Sequence, residues 1–282
     1  MKKCKLYLNH AGYCMSKANH AVKGDENINI KFHALFGLIK HPDLGWILFD
    51  TGYTERFFEA TKSYPNKFYA LITKVFINKE DEVKEQLKRN GILPEDIKHI
   101  IISHFHADHI GGIKDFKNAI IYCSKVAFQQ VKGISNLLAF SKGILKDLLP
   151  EDIEKRLKFI ENVCKLEPDE IFVTKYDLFS DKSIYAYQLP GHAAGQIGIS
   201  LQTEKAKYFL IADACWDERA YKNLALPSSI VRFFFDSWSN YKKSILKIKI
   251  FHERNPDVTI VPTHCINSSS KLIQPQLSLD VL

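Results

Sequence analysis

The chain is predicted to adopt an α/β layered fold, on three observations. Apolar strand-like runs alternate with helix-like stretches along its length. One of these runs, Ile97 to Ile102, leads directly into a dense group of imidazole and carboxylate side chains. The same sequence of apolar strand and polar loop returns around His192 and again around Asp213. In chain order, residues 3–9 and 30–40 read as strands, the second running from Ile30 through Phe36 to Ile39. Asp43 and Gly45 mark a turn before Trp46-Ile47-Leu48-Phe49, which continues into Asp50-Thr51-Gly52. Residues 80–90 read as a helix, with Gly91 as its stop. No tandem repeat, low-complexity tract or Pro/Gly/Ser-rich linker divides residues 1–282, so a single domain is expected.

Composition bounds the function. With 46% hydrophobic and 25% charged residues among 282, the chain can bury an ordinary globular core. It contains no uncharged apolar run of about 18 residues, so neither a membrane span nor a membrane partner is expected. The start, Met1-Lys2-Lys3-Cys4-Lys5, is basic, but Asn9, His10 and Lys17 interrupt any apolar signal segment behind it. A cytoplasmic location follows as the expectation. The six cysteines (4, 14, 123, 164, 215 and 265) show no CxxC spacing and are read as reduced thiols, Cys265 as a buried one. The net charge of +7 comes from lysines spread along the chain, with no run of five basic residues. That spread reads as a solvated surface, and nucleic acid is not an expected partner.

Two segments interrupt the alternation. Residues 57–76 carry Phe57-Phe58, Tyr64, Phe68-Tyr69 and Val75-Phe76; residues 128–150 carry Leu137-Leu138, Phe140, Ile144-Leu145 and Leu148-Leu149. Both read as amphipathic, at best helical insertions. They either pack onto the core or form an apolar-walled substrate entrance or a homodimer surface. Arg232-Phe233-Phe234-Phe235-Asp236-Ser237-Trp238 would add another such wall.

The hexapeptide His104-Phe105-His106-Ala107-Asp108-His109 is the most informative stretch. It places three of the chain's 11 histidines and an aspartate within six positions. Imidazole nitrogen and carboxylate oxygen are the usual ligands of Zn²⁺ and neighbouring divalent metals. Histidines two apart on an extended segment throw both rings to one side, with Asp108 and His109 at the start of the following helix. One ion cannot easily take all four groups, so the spacing suggests two adjacent half-sites.

This hexapeptide resembles the HxHxDH signature of the metallo-β-lactamase superfamily. The resemblance extends to Leu48-Phe49-Asp50-Thr51-Gly52 upstream, and downstream to His192 in Leu189-Pro190-Gly191-His192, to Asp213 after Phe209-Leu210-Ile211-Ala212, and to His264 after Val261-Pro262-Thr263. Leu6-Tyr7 and Ala11-Gly12-Tyr13-Cys14-Met15 look most like the N-acyl-homoserine lactonase branch. The resemblance implies a four-layer αβ/βα sandwich with metals at one sheet edge. It also implies a ligand set: His104, His106 and His192 for one metal, Asp108, His109 and His264 for the other, and Asp213 bridging both. Asp50 would orient a ligand histidine through its other ring nitrogen.

The implied cofactors are two divalent ions, zinc first, with manganese, iron or cobalt also suited to a nitrogen and oxygen site. Such a pair, about 3.5–4 Å apart, shares a water and makes hydroxide near neutral pH, which attacks a carbonyl or phosphorus. The leading expectation is a hydrolase opening a lactone or related ester, with a small substrate bearing an apolar portion. The alternatives are a phosphodiesterase or RNA-processing hydrolase, which would need a basic cleft, and a metal-retaining ligand sensor with little turnover. Asp108 and Trp216 are the candidates for a catalytic role. Trp216 stands three residues after Asp213, where the lactonase branch carries a tyrosine; indole donates one N–H but cannot pass on a proton as a phenol can. Tyr221 is the candidate to supply a phenol in its place.

Overall fold

The computed structural model describes residues 2–273; the one-domain expectation reaches Leu282, and its last stretch lies outside the described residues. Thirteen strands form two sheets among those residues. The first sheet contains β1 (Lys5–Lys17), β2 (Asn29–His41), β3 (Gly45–Phe49), β4 (Val75–Phe76), β5 (Ile97–Ile101), β6 (Ile120–Cys123) and β7 (Leu157–Phe159), in the order β4-β1-β2-β3-β5-β6-β7. The second contains β8 (Lys165–Asp169), β9 (Val173–Asp177), β10 (Ile184–Gln188), β11 (Ile197–Gln202), β12 (Lys207–Ala212) and β13 (Val258–Pro262), in the order β13-β12-β11-β10-β9-β8.

The apolar pattern explains the layers. β2 reads as a nearly continuous hydrophobic run because both of its faces are covered. Ala34, Phe36 and Leu38 join an outer cluster with the helix Val83–Arg89, while Leu35 and Ile39 join an inner one. In that inner cluster, Leu6, Leu8 and Ile101 of the first sheet meet Ile184, Ile197, Ile199 and Leu210 of the second. The far face of the second sheet is covered by the helix Trp238–Arg254. Its Tyr241, Ile245 and Ile248 recur at helical spacing against Phe209, Ile211 and Ile260, and the Ser237 hydroxyl caps its start by accepting from Asn240 N. Helix, sheet, sheet and helix stack as the four-layer αβ/βα sandwich that the resemblance implied.

Several boundaries differ from the sequence expectation. β1 runs to Lys17 rather than residue 9 because β2 offers partners as far as Asn29; a bulge between His10 and Tyr13 absorbs the irregularity. The helix expected over 80–90 is confined to Val83–Arg89, after a 3-10 turn at Lys79–Asp81. The strand expected to reach Ile102 ends at Ile101, where the chain turns into the His104 loop. The 57–76 segment is more than helical: after Arg56–Ala60 and Lys67–Ile72, its Val75 and Phe76 pair with β1 as an edge strand. No helix among the described residues is long and apolar enough to cross a membrane.

Candidate metal centre

Strand direction brings distant residues to one edge. β3 and β5 are parallel, with Phe49 opposite Ile101, so the residues that follow them, Asp50 and Ser103, emerge together. β12 and β13 are also parallel, with Ala212 opposite Pro262, so Asp213 and His264 emerge side by side. Ile197 N donates to Ser103 O at 3.0 Å and joins the two sheets at this edge. Asp50 (φ 58°) and Ala212 (φ 48°) take left-handed backbone at the ends of their strands. That conformation costs a non-glycine residue about 1–2 kcal/mol and aims the chain sharply off the sheet. Gly191 (φ 138°) precedes His192 where a Cβ would lie 2.1 Å from Tyr241 N, so only glycine lets this turn pack on the helix.

The seven residues singled out by the sequence lie together in two groups: His104, His106 and His192, and Asp108, His109, Asp213 and His264. In the first, the His104 and His106 ring centroids are 4.4 Å apart, and His192 Nε2 lies 2.9 Å from His106 Nδ1. In the second, His109 Nε2 and His264 Nε2 lie 3.3 and 3.4 Å from Asp108 Oδ2. Asp213 joins the groups. Its Oδ2 is 2.9 Å from His264 Nε2 and 3.3 Å from His192 Nε2, and its Oδ1 is 3.3 Å from His109 Nε2.

The surroundings fix which nitrogen faces inward. His264 Nδ1 donates to the His33 carbonyl at 2.9 Å, and His109 Nδ1 donates to Asp50 Oδ2 at 2.8 Å. Both rings therefore present Nε2 to the carboxylates. His104 Nε2, His109 Nε2 and Asp213 Oδ1 are buried and make no hydrogen bond to any described residue. Orphaned polar atoms of this kind are rare in a protein interior, and their convergence fits divalent cations with nitrogen and oxygen donors. Burial, reinforced by neighbouring histidines, drives His104 well below its ordinary value. Burial also lowers His106 to about 4, against attraction from Asp108 and Asp213, and His192 to about 3, against attraction from Asp213. These three rings are neutral, as ligands must be. Burial pulls His109 down as well, but the charges of Asp108, Asp50 and Asp213 prevail and raise it; Asp213 and Asp108 do the same for His264.

Asp50, wholly buried, also accepts from Ser103 N at 2.8 Å and from the Ser103 hydroxyl at 2.7 Å. Asp50→Asn should therefore weaken metal affinity about 10–100-fold, the usual consequence of losing a ligand's carboxylate partner. Competition titration against a chelator measures this; unchanged affinity would show that Asp50 does not govern the His109 ring.

The two catalytic candidates fall differently. Asp108 lines a pocket of about 350 Å³ whose walls include Met15, Phe32, Ile72, Phe140, Val231 and Phe234. Trp216 lines the same pocket, yet its indole N–H points inward and donates to Asp213 Oδ2 at 3.1 Å. Tyr221, expected as a substitute phenol, is instead buried in the outer core with Cys215 and packs on His252. The phenols at the pocket are Tyr69, from the 57–76 segment expected either to pack onto the core or to wall an entrance, and Tyr53, which the sequence did not single out although it directly follows Asp50-Thr51-Gly52. Cys265 is buried, as expected. Both apolar insertions serve the core and the pocket at once: Phe57 and Leu148 are buried, while Ile72 and Phe140 face the cavity.

Residues 32–264 match the model of the metallo-beta-lactamase superfamily. An N-acyl homoserine lactonase of Bacillus cereus is 25% identical over 223 residues, covering 78% of this chain and 79% of the relative. The N-acyl homoserine lactonase AttM of Rhizobium radiobacter is 24% identical over 269 residues, covering 94% of each. In fold, the chain is similar to an N-acyl homoserine lactone hydrolase solved with N-hexanoyl-L-homoserine at its catalytic metal centre, with a TM-score of 0.75, 21% identity, and coverage of 96% of this chain and 97% of that one. It is also similar to the dizinc quorum-quenching lactonase AidC, with a TM-score of 0.63, 18% identity, and coverage of 94% and 89%. With the family model spanning most of the sequence and the sandwich and its edge site in place, the chain belongs to the metallo-beta-lactamase superfamily.

Proposed function

We propose that this chain is a single-domain, dinuclear-metal hydrolase that opens a lactone or related ester bearing an apolar chain. The observation that supports this most is the convergence of seven nitrogen and oxygen donors, in two groups joined by Asp213, five of which line an apolar-walled pocket. His104, His106 and His192 would hold one ion, Asp108, His109 and His264 the other, and Asp213 both, with zinc as the first choice. Bound there, such ions supply Lewis acidity and make a water nucleophilic near neutral pH. The chain's own residues do the rest. Asp50 and Ser103 hold the His109 ring in place, and Phe32 stacks on His264 at 5.0 Å and 21°, keeping that ring from turning. Phe140, Val231 and Phe234 offer an apolar wall to the apolar part of a substrate. The relatives' activity on acyl-homoserine lactones supports the choice of lactone among esters.

Protein purified without chelator should carry close to two metal equivalents per chain, since the seven donors exceed the four or so that one tetrahedral ion takes. Elemental analysis decides that; one equivalent with every ligand intact would overturn the dinuclear reading. The metal-replete protein should then turn over homoserine lactones faster than aryl esters or bis-p-nitrophenyl phosphate. Preference for the phosphodiester would reassign the substrate, and binding without turnover would make the protein a sensor.

A further inference from the structure

Three segments meet at the mouth of the pocket: 60–79, 125–146 and 219–235. Ile72, Phe140 and Phe234 from the three line the cavity itself. Phe68 and Phe140 pack ring to ring at 5.7 Å, and Lys142 Nζ donates to Phe235 O at 3.3 Å, so the segments form one continuous rim. Large apolar side chains stand out from that rim into solvent: Phe233 is 83% exposed, Leu137 69% and Leu71 66%. Most apolar residues around a buried site pack inward, as Phe57 and Leu148 do here; these do not.

Charge sets the rim apart as well. The three segments contain eleven of the chain's 39 basic residues, with Glu59, Glu80, Asp147, Glu218 and Asp236 standing at their ends. Four of the eleven are neutralised by acids beyond the segments: Lys62 by Glu59, Lys132 by Glu154, Lys222 by Glu218, and Arg219 by Asp25 and Asp217. Others have no carboxylate partner among the described residues: Lys142 and Lys146 meet only backbone oxygens, Lys67 lies over Tyr64, Lys74 over Phe76 and Arg232 over Trp238. The sequence shows lysines dispersed along the chain; folding leaves these five cations without a carboxylate partner among the described residues, near protruding apolar side chains.

We infer that the mouth of the pocket docks on an anionic lipid bilayer. Apolar side chains that enter the acyl boundary, flanked by cations that meet anionic headgroups, are the two components of interfacial binding. A second copy fits less well, because a two-fold contact would set the same uncompensated cations against each other. A nucleic acid would accept the cations but leave Phe233 and Leu137 in water. Docking in this position opens the pocket toward the bilayer, where a substrate with an apolar chain partitions. The contact is independent of the reaction proposed above, since sedimentation reads the first and turnover the second.

Sedimentation with vesicles tests it, using the full chain with its metals. The protein should pellet with phosphatidylcholine vesicles containing phosphatidylglycerol at low salt, and stay in solution with phosphatidylcholine alone or at high salt. Phe233→Asp, Leu137→Asp and Lys67→Glu should each weaken partitioning by about tenfold or more, with circular dichroism and metal content unchanged. None of the three lines the cavity, so turnover of a soluble substrate should persist. Failure of the folded wild type to pellet with anionic vesicles would overturn the inference, as would pelleting that all three substitutions leave unmoved. A concentration-dependent dimer in light scattering, abolished by the same substitutions, would reassign the rim to a second copy.

Discussion

Asp213→Ala should empty both metal positions at once and abolish hydrolysis. Among the described residues, Asp213 is the one carboxylate within 3.3 Å of histidines from both groups: His192 on one side, His109 and His264 on the other. Its removal takes a ligand and a negative charge from each ion together. Any single histidine substitution costs one ligand at one ion, so the aspartate should stand out in the series. The loss should exceed the about 10–100-fold typical of removing only a partner of a ligand. Asp213→Asn, which preserves the shape while removing the charge, is the companion variant. Both should retain far-ultraviolet circular dichroism while metal content falls in both groups. Full metal content with full activity in either variant would show that Asp213 does not bridge.

Much of this site was legible in the sequence, for a physical reason. In a layered α/β fold the site residues follow the ends of apolar strands, so Ile100-Ile101-Ile102 announces His104 as Phe209-Leu210-Ile211 announces Asp213. The family resemblance then linked landmarks that spacing alone could not. What the sequence hid depends on the direction of side chains and on contacts between remote segments. Trp216 lies beside His192 and Asp213, but nothing in Asp213-Ala214-Cys215-Trp216 reveals that the indole N–H turns back to the carboxylate. Tyr221 looked close by number, yet it sits on a short helix, Arg219–Asn223, whose buried face joins the outer core. Tyr69 is remote in number and enters the pocket because Lys67–Ile72 folds over it. β1 outran its expected length because pairing with β2 overrides the weak strand signal of residues 10–17.

Trp216→Tyr should raise kcat/KM on homoserine lactones. The indole donor is spent on Asp213 Oδ2 at 3.1 Å, so a substrate oxygen in the pocket receives no hydrogen bond from this position. The ring is held among His192 at 5.5 Å, Phe32 at 5.5 Å and Phe235 at 5.2 Å, which leaves a smaller phenol room to settle on the same side of the cavity. There it would stand where the lactonase branch has its tyrosine. Its hydroxyl could donate to the oxygen on which charge develops and pass a proton to the leaving alkoxide. Positioned general-acid help of this kind is worth about 10²–10⁴ in rate, so even partial recovery is measurable. Trp216→Phe separates the two functions of the position: it removes the hydrogen bond to Asp213 without adding a phenol, and should weaken metal retention and lower activity. Measuring kcat/KM for both variants on one short-chain and one long-chain lactone, with metal content checked in each, completes the test. A gain for tyrosine and a loss for phenylalanine is the expected pair. If tyrosine brings no gain on either lactone while both metals remain, the indole shapes the pocket for a different ester, and the lactone assignment falls.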